Sequence, residues 1–487
     1  MNRKRLIAAF LFLALMIAVS LAACGGKTVM RKDNTPLLDH TYVNGNQITG
    51  LGDPYVFTWD GKYYCTATMS GTSYPLYESE DLREWKKLPD IFFTSGTESW
   101  VRRSLWQPQI VAGSDGKFYL YYCGQNDDSS LRIGVAASDS VTGPYEDVHG
   151  VPLFDFGFAA IDPNLFVDDD GKMYLYYSRD CSENVVGGKP TSQIYVVEME
   201  DYTHLKEGAE HILCVTPEQN WEQGGTRWNE GPDILKHDGV YYLFYSGGFY
   251  GDRTYSMGYA TADSPLGPFV KYDKNPSLSS TETASGPGNN SFFPPLDGKE
   301  LLNAYHTHTV PEIAGGNRKL TIDRCGWRAD GTFYMNGPTT TMQPGFSGHT
   351  GLRPAEIKSV TATSTASGDP MALIDGEFSA TVSGVAQEWR GGNGAKDTVT
   401  LELAGDTVVD TIFLYRSYEA ANTPAKLRIR FSDGSVLEGV AFSSDSAEPA
   451  VLHFDDVTTS SITIEVQDMG SARSFALADV QIYRLEG

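Results

Sequence analysis

Cysteine and positive charge are both scarce in this sequence. Its 487 residues include only six cysteines, none of them in a C-x-x-C pair, which argues against a disulfide framework or a zinc site. Lysine and arginine total 38 against 62 aspartates and glutamates, giving a net charge of −24. Because such a surface repels phosphate backbones, nucleic acid is not the expected partner. The motifs H-E-x-x-H and G-x-S-x-G and a phosphate-binding loop are also absent, which removes several classes of hydrolase.

The longest hydrophobic run is confined to the N-terminus. A basic start precedes the apolar residues 6–23, an order typical of a secretory signal peptide. The residue after it is Cys24, and Leu-Ala-Ala-Cys resembles the bacterial lipobox, in which that cysteine is lipidated. We therefore predict a signal peptide over 1–23, a polar tether over 24–40, and a bacterial lipoprotein that contacts the membrane through its lipid only, on the extracellular face. An uncleaved anchor helix is the alternative, since this run nearly spans a bilayer.

A strand–turn–strand unit recurs five times in the chain. Each copy has an Asp-Gly or Asp-Gly-like turn followed by an aromatic strand, as in Asp238-Gly239-Val-Tyr-Tyr-Leu-Phe-Tyr. The turn glycines stand at 61, 116, 171, 239 and 298, with spacings of 55, 55, 68 and 59 residues. Such turns between alternating strands predict β-hairpins, and their regular recurrence predicts propeller blades. The sequence thus indicates an all-β protein with a five-bladed β-propeller over residues 41–344.

The C-terminal part of the sequence lacks the repeat and differs in its pattern of residues. Residues 345–354 are glycine-rich and predict a linker. Residues 355–487 contain short alternating segments without a repeat, which predict a β-sandwich. Ala372-Leu-Ile-Asp-Gly and Ala476-Leu-Ala-Asp-Val resemble parts of discoidin-type jelly rolls. That resemblance implies a carbohydrate-binding module with a structural calcium, and Trp389 and Arg390 are its contact candidates; a module that only packs on the propeller is the alternative.

Three of the five repeats begin with an acidic residue. Asp53, Asp162 and Glu230 stand at the start of the first strand of their units. In a propeller the first strands line the channel, so their starting residues crowd around one mouth. Converging carboxylates raise one another's pKa, so one can stay protonated while another is ionised. That combination of acid and base is what glycoside hydrolysis requires.

These motifs resemble glycoside hydrolase family 43. Gly52-Asp53-Pro54 matches the general base of that family, Ile161-Asp162-Pro163 matches the aspartate that tunes and orients the acid, and Asn229-Glu230-Gly-Pro matches the general acid. The segment from Arg318 to Trp327 resembles the end of the family's last blade. The resemblance implies an inverting glycosidase that needs no cofactor for its chemistry. We expect an exo-acting enzyme that works as a monomer. Since inversion places a water between base and sugar, Asp53 and Glu230 are expected roughly 6.5–9.5 Å apart.

The resemblance also supplies candidates around the three acids. His306 matches a family histidine that faces the channel and helps to hold a calcium or other ion, usually through water, and His308 follows on the same strand face. The family often has Gly-x-Gly-His before this strand, whereas this chain has Gly286-Pro-Gly-Asn-Asn. Candidate substrate-binding residues are Trp106, Gln107, Tyr55, Trp228, Asn290 and Arg324.

The implied substrate is an oligosaccharide or polysaccharide of the plant cell wall. An α-L-arabinofuranosidase or a β-xylosidase is the first expectation, releasing arabinose or xylose. An endo-arabinanase or a β-galactosidase on the same fold, and a glycan-binding lipoprotein without catalysis, are the alternatives. Pocket shape depends on loops 94–105, 180–192 and 216–228, so the sequence leaves the sugar and the exo or endo mode open.

Overall fold

The structure is a computed structural model that describes residues 27–45, 47–95, 99–313, 317–378 and 388–486. The predicted signal peptide and the lipidation site at Cys24 lie outside these residues. No helix within the described ranges is long and apolar enough to cross a membrane. The five cysteines of the described chain are all free, and Cys181 is the one that is partly exposed.

Five four-stranded antiparallel sheets form the first domain, and in each one the strands are ordered as in the sequence. We call these sheets blades I to V. Their strands are Gly52–Trp59, Lys62–Thr68, Tyr77–Ser79 and Lys86–Lys87 in blade I; Arg103–Ala112, Phe118–Gln125, Leu131–Ser138 and Glu146–Asp147 in blade II; Ala160–Val167, Met173–Arg179, Gln193–Met199 and Ile212–Val215 in blade III; Asn229–His237, Val240–Gly247, Ser256–Ala262 and Val270–Lys271 in blade IV; and Gly288–Phe293, Leu301–His308, Arg318–Trp327 and Phe333–Met335 in blade V.

The blades form a closed ring. The first strand of each blade contacts the first strand of the next, and that of blade V contacts that of blade I. Five hydrophobic clusters lie between neighbouring blades, built from the aromatic strands that follow the Asp-Gly turns. Burial of these aromatic faces on both sides of every sheet stabilises the ring. The predicted five-bladed β-propeller is confirmed.

The N-terminal segment joins the two ends of the propeller. Thr41–Tyr42 pairs with Gln343–Pro344, and Thr49 forms a bridge to Lys319 on the third strand of blade V. The buried Asn44 donates to the carbonyl oxygen of Ile322 at 2.9 Å and accepts from its N–H at 2.8 Å. The ring is thus closed by hydrogen bonds between residues far apart in sequence.

The C-terminal domain is also rich in strands. Its largest sheet has the order Leu352–Pro354, Ala476–Leu485, Thr398–Arg416, Ala450–Asp468, Lys426–Phe431 and Val436–Val440; Ile357–Ala362 also pairs with Thr398–Arg416, and Trp389–Arg390 with Ala476–Leu485. The jelly-roll topology stays a prediction. Trp389 is fully buried and packs edge-on against Phe475, so this indole belongs to the core and is no surface contact for a glycan.

Two segments predicted as free connections are packed instead. Within the expected tether, Thr28 forms a bridge to Val436 on the edge strand of the C-terminal sheet, and Arg31 forms one to Phe454. Val29 and Leu37 are buried. In the expected linker, Leu352–Pro354 is a strand, and the buried Phe346 lies 4.5 Å from the ring of Tyr42.

The remaining elements are short. A small two-stranded sheet pairs Ser73–Tyr74 with Phe92–Phe93, and a second one, a hairpin, pairs Val185–Val186 with Lys189–Pro190. This hairpin extends from blade III between its second and third strands. Short 3-10 helices span Thr35–His40, Asn220–Glu222, Pro370–Ile374, Gly394–Lys396 and Ala420–Asn422.

Candidate active site

A β-bulge interrupts the pairing at the start of the first strand in all five blades. One residue in each bulge has a left-handed backbone conformation. These residues are Asp53, Gln107, Asp162, Gly231 and Asn289, with φ values of 52°, 20°, 57°, 61° and 53°. A bulge re-aims the side chains beside it, and Asp and Asn tolerate this conformation better than most residues. The repeat therefore directs five equivalent positions towards one mouth of the ring.

The three predicted acids meet in one cavity at this mouth. The cavity has a volume of about 470 Å³ and is lined by Asp53, Asp162 and Glu230. The structure also places Trp106 and Trp228 in its wall, as the sequence predicts. Its size falls in the range of small-ligand sites, roughly 300–1,000 Å³.

Asp53 is held by groups from blade V. Arg318 Nη1 donates to Asp53 Oδ1 at 2.9 Å, and both side chains are largely buried. The backbone N–H of Asp53 donates to His306 Nδ1 at 3.1 Å. This charge-assisted hydrogen bond joins the Asp53 carboxylate to a guanidinium of another blade.

Asp162 lies between donors of its own blade and of the neighbouring blade. Its Oδ2 accepts the backbone N–H of Gly231 at 3.0 Å, and Ser178 Oγ lies 3.5 Å away. Burial is the main cause that raises the pKa of Asp162 well above the usual range, and the charge of Asp53 adds to it. The N–H of Gly231 opposes this shift because it stabilises the charged form.

Glu230 has fewer donors than Asp162. Tyr255 Oη donates to Glu230 Oε1 at 2.8 Å. Burial again raises the pKa of Glu230 well above the usual range, followed by the charge of Asp162, while Tyr255 lowers it. Burial and mutual repulsion thus favour retention of a proton by the pair of Asp162 and Glu230. The third carboxyl group of the cavity, Asp53, is the one that pairs with a guanidinium.

His306 is a buried, neutral side chain below the acids. Burial lowers its pKa well below the usual range, and the charge of Arg318 acts in the same direction. Because Nδ1 accepts the N–H of Asp53, the ring hydrogen stands on Nε2. That Nε2 is buried and has no hydrogen-bond partner in the described chain. A ring nitrogen that carries a hydrogen has no lone pair with which to bind a cation directly. It can donate a hydrogen bond to a water molecule or to another acceptor.

No group of three or more His, Cys, Asp or Glu side chains within the described ranges is arranged to hold a metal ion. A calcium held in the channel through water, and one in the C-terminal domain, stay predictions. His308 does not face the same partners as His306. Its Nε2 donates to the carbonyl oxygen of Tyr250 at 2.9 Å, and its Nδ1 lies 2.9 Å from Ser285 Oγ.

Four predicted substrate-binding residues lie outside the cavity. Tyr55, Gln107 and Asn290 line a separate void of about 10 Å³ deeper in the channel, which has room for about one water molecule. Gln107 reaches the cavity indirectly, since its Oε1 accepts from Asn289 Nδ2 at 3.0 Å. Arg324 is far from this site: it pairs with Glu300 at 2.7 Å and lines a cleft between blade V and the C-terminal domain.

Several wall residues escaped the sequence analysis. Asp180, Tyr250, Tyr255 and Arg318 line the cavity beside the predicted acids. Tyr250 stacks on Trp228 with 6.2 Å between ring centroids. The Arg318 guanidinium lies 5.3 Å from the centre of the Tyr250 ring. Arg318 begins the segment that resembles the end of the last blade, and Tyr255 directly precedes the third strand of blade IV. Nothing in the sequence at either position indicates that the side chain enters the site.

A family model described as glycosyl hydrolases family 43 matches residues 48–333, more than half of the chain. The chain belongs to glycosyl hydrolase family 43. A second family model, described as a domain of unknown function, matches residues 354–483. The first match covers the propeller and includes all three acids of the cavity.

Individual relatives agree with the family. The β-D-galactofuranosidase xynD of Aspergillus niger is 32% identical over 288 residues, which are 56% of this chain and 78% of the relative. An extracellular exo-α-(1→5)-L-arabinofuranosidase of Streptomyces avermitilis is 26% identical over 348 residues, 66% of this chain and 68% of the relative. A crystal structure of a thermostable family-43 glycoside hydrolase has 41% identity and a TM-score of 0.60, covering 63% of this chain and 99% of that one.

The protein is therefore an inverting glycoside hydrolase whose chemistry needs no cofactor. Inversion is a single displacement that requires one carboxylate to activate water and one carboxylic acid to protonate the leaving oxygen. The cavity contains one carboxyl group that pairs with a guanidinium and two carboxyl groups whose pKa is raised, which connects the family to the geometry of this chain.

Proposed function

We propose that the enzyme removes terminal arabinose or xylose residues from plant cell-wall polysaccharides or their oligosaccharides. In this mechanism Asp53 is the general base, Glu230 is the general acid, and Asp162 tunes and orients Glu230. The observation that carries the assignment is the difference in environment between Asp53, which pairs with Arg318, and Glu230, which is buried near the charge of Asp162 and has no ion pair in the described part of the chain. One acid is kept ionised and the other keeps its proton.

Asp53 is suited to deprotonate the attacking water. Its Oδ1 is fixed by Arg318, and its main chain is fixed by His306. Both contacts come from blade V, so the base is oriented by an element other than its own strand. A positioned base of this kind contributes about 10²–10⁴-fold to the rate.

Glu230 is suited to protonate the leaving glycosidic oxygen. The charge of Asp162 helps to keep the proton on Glu230 at neutral pH, because two carboxylates in one buried site do not both ionise readily. Asp162 itself is oriented by the N–H of Gly231, the residue that follows Glu230. Acid and tuning residue are thus coupled through one peptide unit.

The proposed sugar rests on the relatives and on the cavity wall. Relatives of this chain include an exo-α-(1→5)-L-arabinofuranosidase and a xylosidase/arabinosidase of Bacteroides ovatus. Trp106, Trp228 and Tyr250 give the wall aromatic faces on which a pentose ring can stack. A β-D-galactofuranosidase is a second candidate, favoured by the 32% identity to the enzyme of Aspergillus niger.

The proposed setting is a lipid-anchored enzyme at the cell surface that works as a monomer. Cys24 is followed within a few residues by a segment that pairs with the C-terminal domain. That domain would therefore lie next to the anchor. A carbohydrate-binding role and a jelly-roll topology for it, suggested by its sequence, remain part of this proposal.

Aryl glycosides test the proposed reaction. We expect wild type to cleave an aryl α-L-arabinofuranoside or β-D-xyloside, with an aryl β-D-galactofuranoside separating the second candidate. Glu230→Gln should lower kcat on a natural oligosaccharide by about 10³-fold, and by less on an aryl glycoside whose leaving group needs little protonation. The exposed Glu210 gives the matched control, and Glu210→Gln should leave kcat unchanged.

Two outcomes would contradict the proposal. If the protein bound glycans but turned over none of the substrates, it would be a glycan-binding protein and not an enzyme. Proton NMR of the first product reports the anomeric configuration. Retention of that configuration would refute the single displacement with Asp53 as base, whichever sugar is released.

A further inference from the structure

The catalytic cavity contains more negative charge than its reaction uses. Its lining residues include five carboxylates, Asp53, Asp162, Asp180, Glu183 and Glu230, and one cation, Arg318. Arg318 is already paired with Asp53. Glu183 also has partners, since it accepts from Ser130 Oγ and lies 3.6 Å from Arg132. The remaining wall carboxylate without a role in the reaction is Asp180.

Hydrogen bonds hold Asp180 in place, but its carboxylate has no cationic partner among the described residues. It follows the second strand of blade III directly, and its N–H donates to the carbonyl oxygen of Ala159 at 2.9 Å. Its Oδ1 accepts the N–H of Ser182 at 2.9 Å. In the part of the chain that the structure describes, its Oδ2 has no hydrogen-bond partner and its carboxylate has no ion pair. One oxygen is thus free to accept from a ligand.

Contacts of the loop that follows Asp180 fix this residue relative to the acid. Trp228 Nε1 donates to the sulfur of Cys181 at 3.1 Å, and Ser192 forms a bridge to Trp228. These contacts join the loop after Asp180 to the residue two positions before Glu230. The charge of Asp180 is close enough to raise the pKa of both Asp162 and Glu230.

We propose that Asp180 is a specificity-determining residue that accepts hydrogen bonds from hydroxyl groups of the bound sugar and excludes sugars that carry a carboxylate. This inference rests on the proposed function of the cavity as a glycosidase site. A neutral sugar gains a charge-assisted hydrogen bond from Asp180. A uronic acid meets several carboxylates and no unpaired cation among the described lining residues, so its charge is repelled as well as unsatisfied.

Asp180→Asn tests this inference with little change of shape, because the amide oxygen can still accept from the N–H of Ser182. We expect kcat/KM on the best neutral substrate to fall about tenfold or more. The alkaline limb of its pH profile should move to lower pH, because loss of the Asp180 charge lowers the pKa of Glu230. Asp139→Asn is the matched control: Asp139 is exposed and outside the cavity, and both readouts should stay as in wild type.

Glucose and glucuronate probe the charge selectivity, since they differ mainly by a carboxylate in place of a hydroxymethyl group. Calorimetric titration should give wild type at least about tenfold weaker binding of glucuronate, and Asp180→Asn should narrow that ratio at least about threefold. Asp180→Ser, which also keeps an acceptor for the turn, replaces the first variant if that one does not fold. Circular dichroism and Tm identify the folded variants.

The outcomes separate the two proposals. Turnover by wild type with unchanged kcat/KM, pH profile and glucuronate ratio in the folded variant would overturn the role of Asp180 alone. Intact discrimination between glucose and glucuronate without turnover of any glycoside would overturn the proposed function alone. A wild type that binds glucuronate as tightly as glucose would also overturn the inference about Asp180.

Discussion

At the scale of single residues, the bulge explains why Glu230 stands one position earlier in its strand than Asp53 and Asp162 stand in theirs. Asp53 and Asp162 occupy the left-handed position of their bulges, whereas in blade IV Gly231 takes that position. A Cβ atom at residue 231 would stand 2.0 Å from Asn289 Oδ1, so a side chain there is excluded. The acid therefore stands one position earlier, and its side chain leaves the backbone in another direction.

Tyr255 tunes this acid, which gives a prediction for the pH profile. Its hydroxyl stabilises the charged form of Glu230 and so lowers the pKa of that carboxyl. Tyr255→Phe should raise the pKa of Glu230, and the alkaline limb of kcat/KM should shift to higher pH by about 0.5–1 unit. This direction is opposite to that expected for Asp180→Asn.

The control for Tyr255→Phe is Tyr242→Phe. Tyr242 also loses one hydrogen bond, to the carbonyl oxygen of Gly331 at 2.7 Å, but it lies outside the cavity. Its pH profile should match that of wild type. A shift of the alkaline limb to lower pH in Tyr255→Phe would contradict the assignment of Glu230 as the proton donor tuned by this hydroxyl.

At the scale of elements, the uneven spacing of the repeat corresponds to structures that build the site. The spacing of 68 residues between the turn glycines of blades III and IV exceeds the spacing of 55 before it. This stretch contains the hairpin of Val185–Val186 and Lys189–Pro190 and the short helix Asn220–Glu222. Both precede Glu230 along the chain, and Arg227 Nη1 donates to the carbonyl oxygen of Val186 at 3.3 Å. Extra residues within blade III and between blades III and IV thus support the acid.

The closing segment of the propeller gives a prediction for stability. Asn44 Nδ2 is a shared donor to the carbonyl oxygen of Ile322, to Asp323 and to Thr339, all of them buried or in buried strands. Asn44→Ala leaves these acceptors without that donor, which should lower the free energy of unfolding by about 2–3 kcal/mol. Thermal unfolding measured by circular dichroism should show a Tm lower by several degrees.

Asn393→Ala is the matched substitution for this experiment. Asn393 is exposed and its side chain makes no capping hydrogen bond. The Tm of the Asn393→Ala variant should therefore stay within about one degree of that of wild type. An unchanged Tm in Asn44→Ala would mean that the ring is closed by strand pairing and packing without this side chain.

At the scale of the whole molecule, the two domains are joined by buried polar contacts. Arg328 of blade V donates to both carboxylate oxygens of Glu377, which is almost fully buried. Tyr415 Oη donates to Gln343 Oε1 at 2.6 Å from the opposite domain. The N-terminal segment adds backbone bridges to the C-terminal domain before it enters the propeller. Buried ion pairs and hydrogen bonds between the domains thereby hold them in contact.

Arg328→Met should loosen this junction. Removal of one partner leaves Glu377 buried without its cation, which costs about 3 kcal/mol or more. Differential scanning calorimetry should show the first unfolding transition at lower temperature and separated from the second, while kcat at 25 °C stays unchanged because no cavity residue is altered. The exposed pair of Arg353 and Glu486 provides the control: Arg353→Met should cost at most about 1 kcal/mol.

The repeat pattern predicted much of the fold and the centre of the site. Asp-Gly turns and aromatic strands recur visibly in the sequence, because each blade must bury the same kind of face. Arg318 and Tyr255 could not be found in this way, since their roles depend on contacts with residues 265 and 25 positions away. Arg324 was placed in the site by its motif, yet its side chain is bound by Glu300 on the side of the C-terminal domain.

The sequence by itself determined the five blades, the starting positions of the strands and the three acids, because local periodicity and turn chemistry encode them. Only the tertiary structure decided what each acid experiences. Three contacts arise between different blades or strands: the pairing of Asp53 with Arg318, the hydrogen bond from the N–H of Gly231 to Asp162, and the hydrogen bond from Tyr255 to Glu230. Protonation and specificity depend on burial and on distances between charges, and these exist only after the ring has closed.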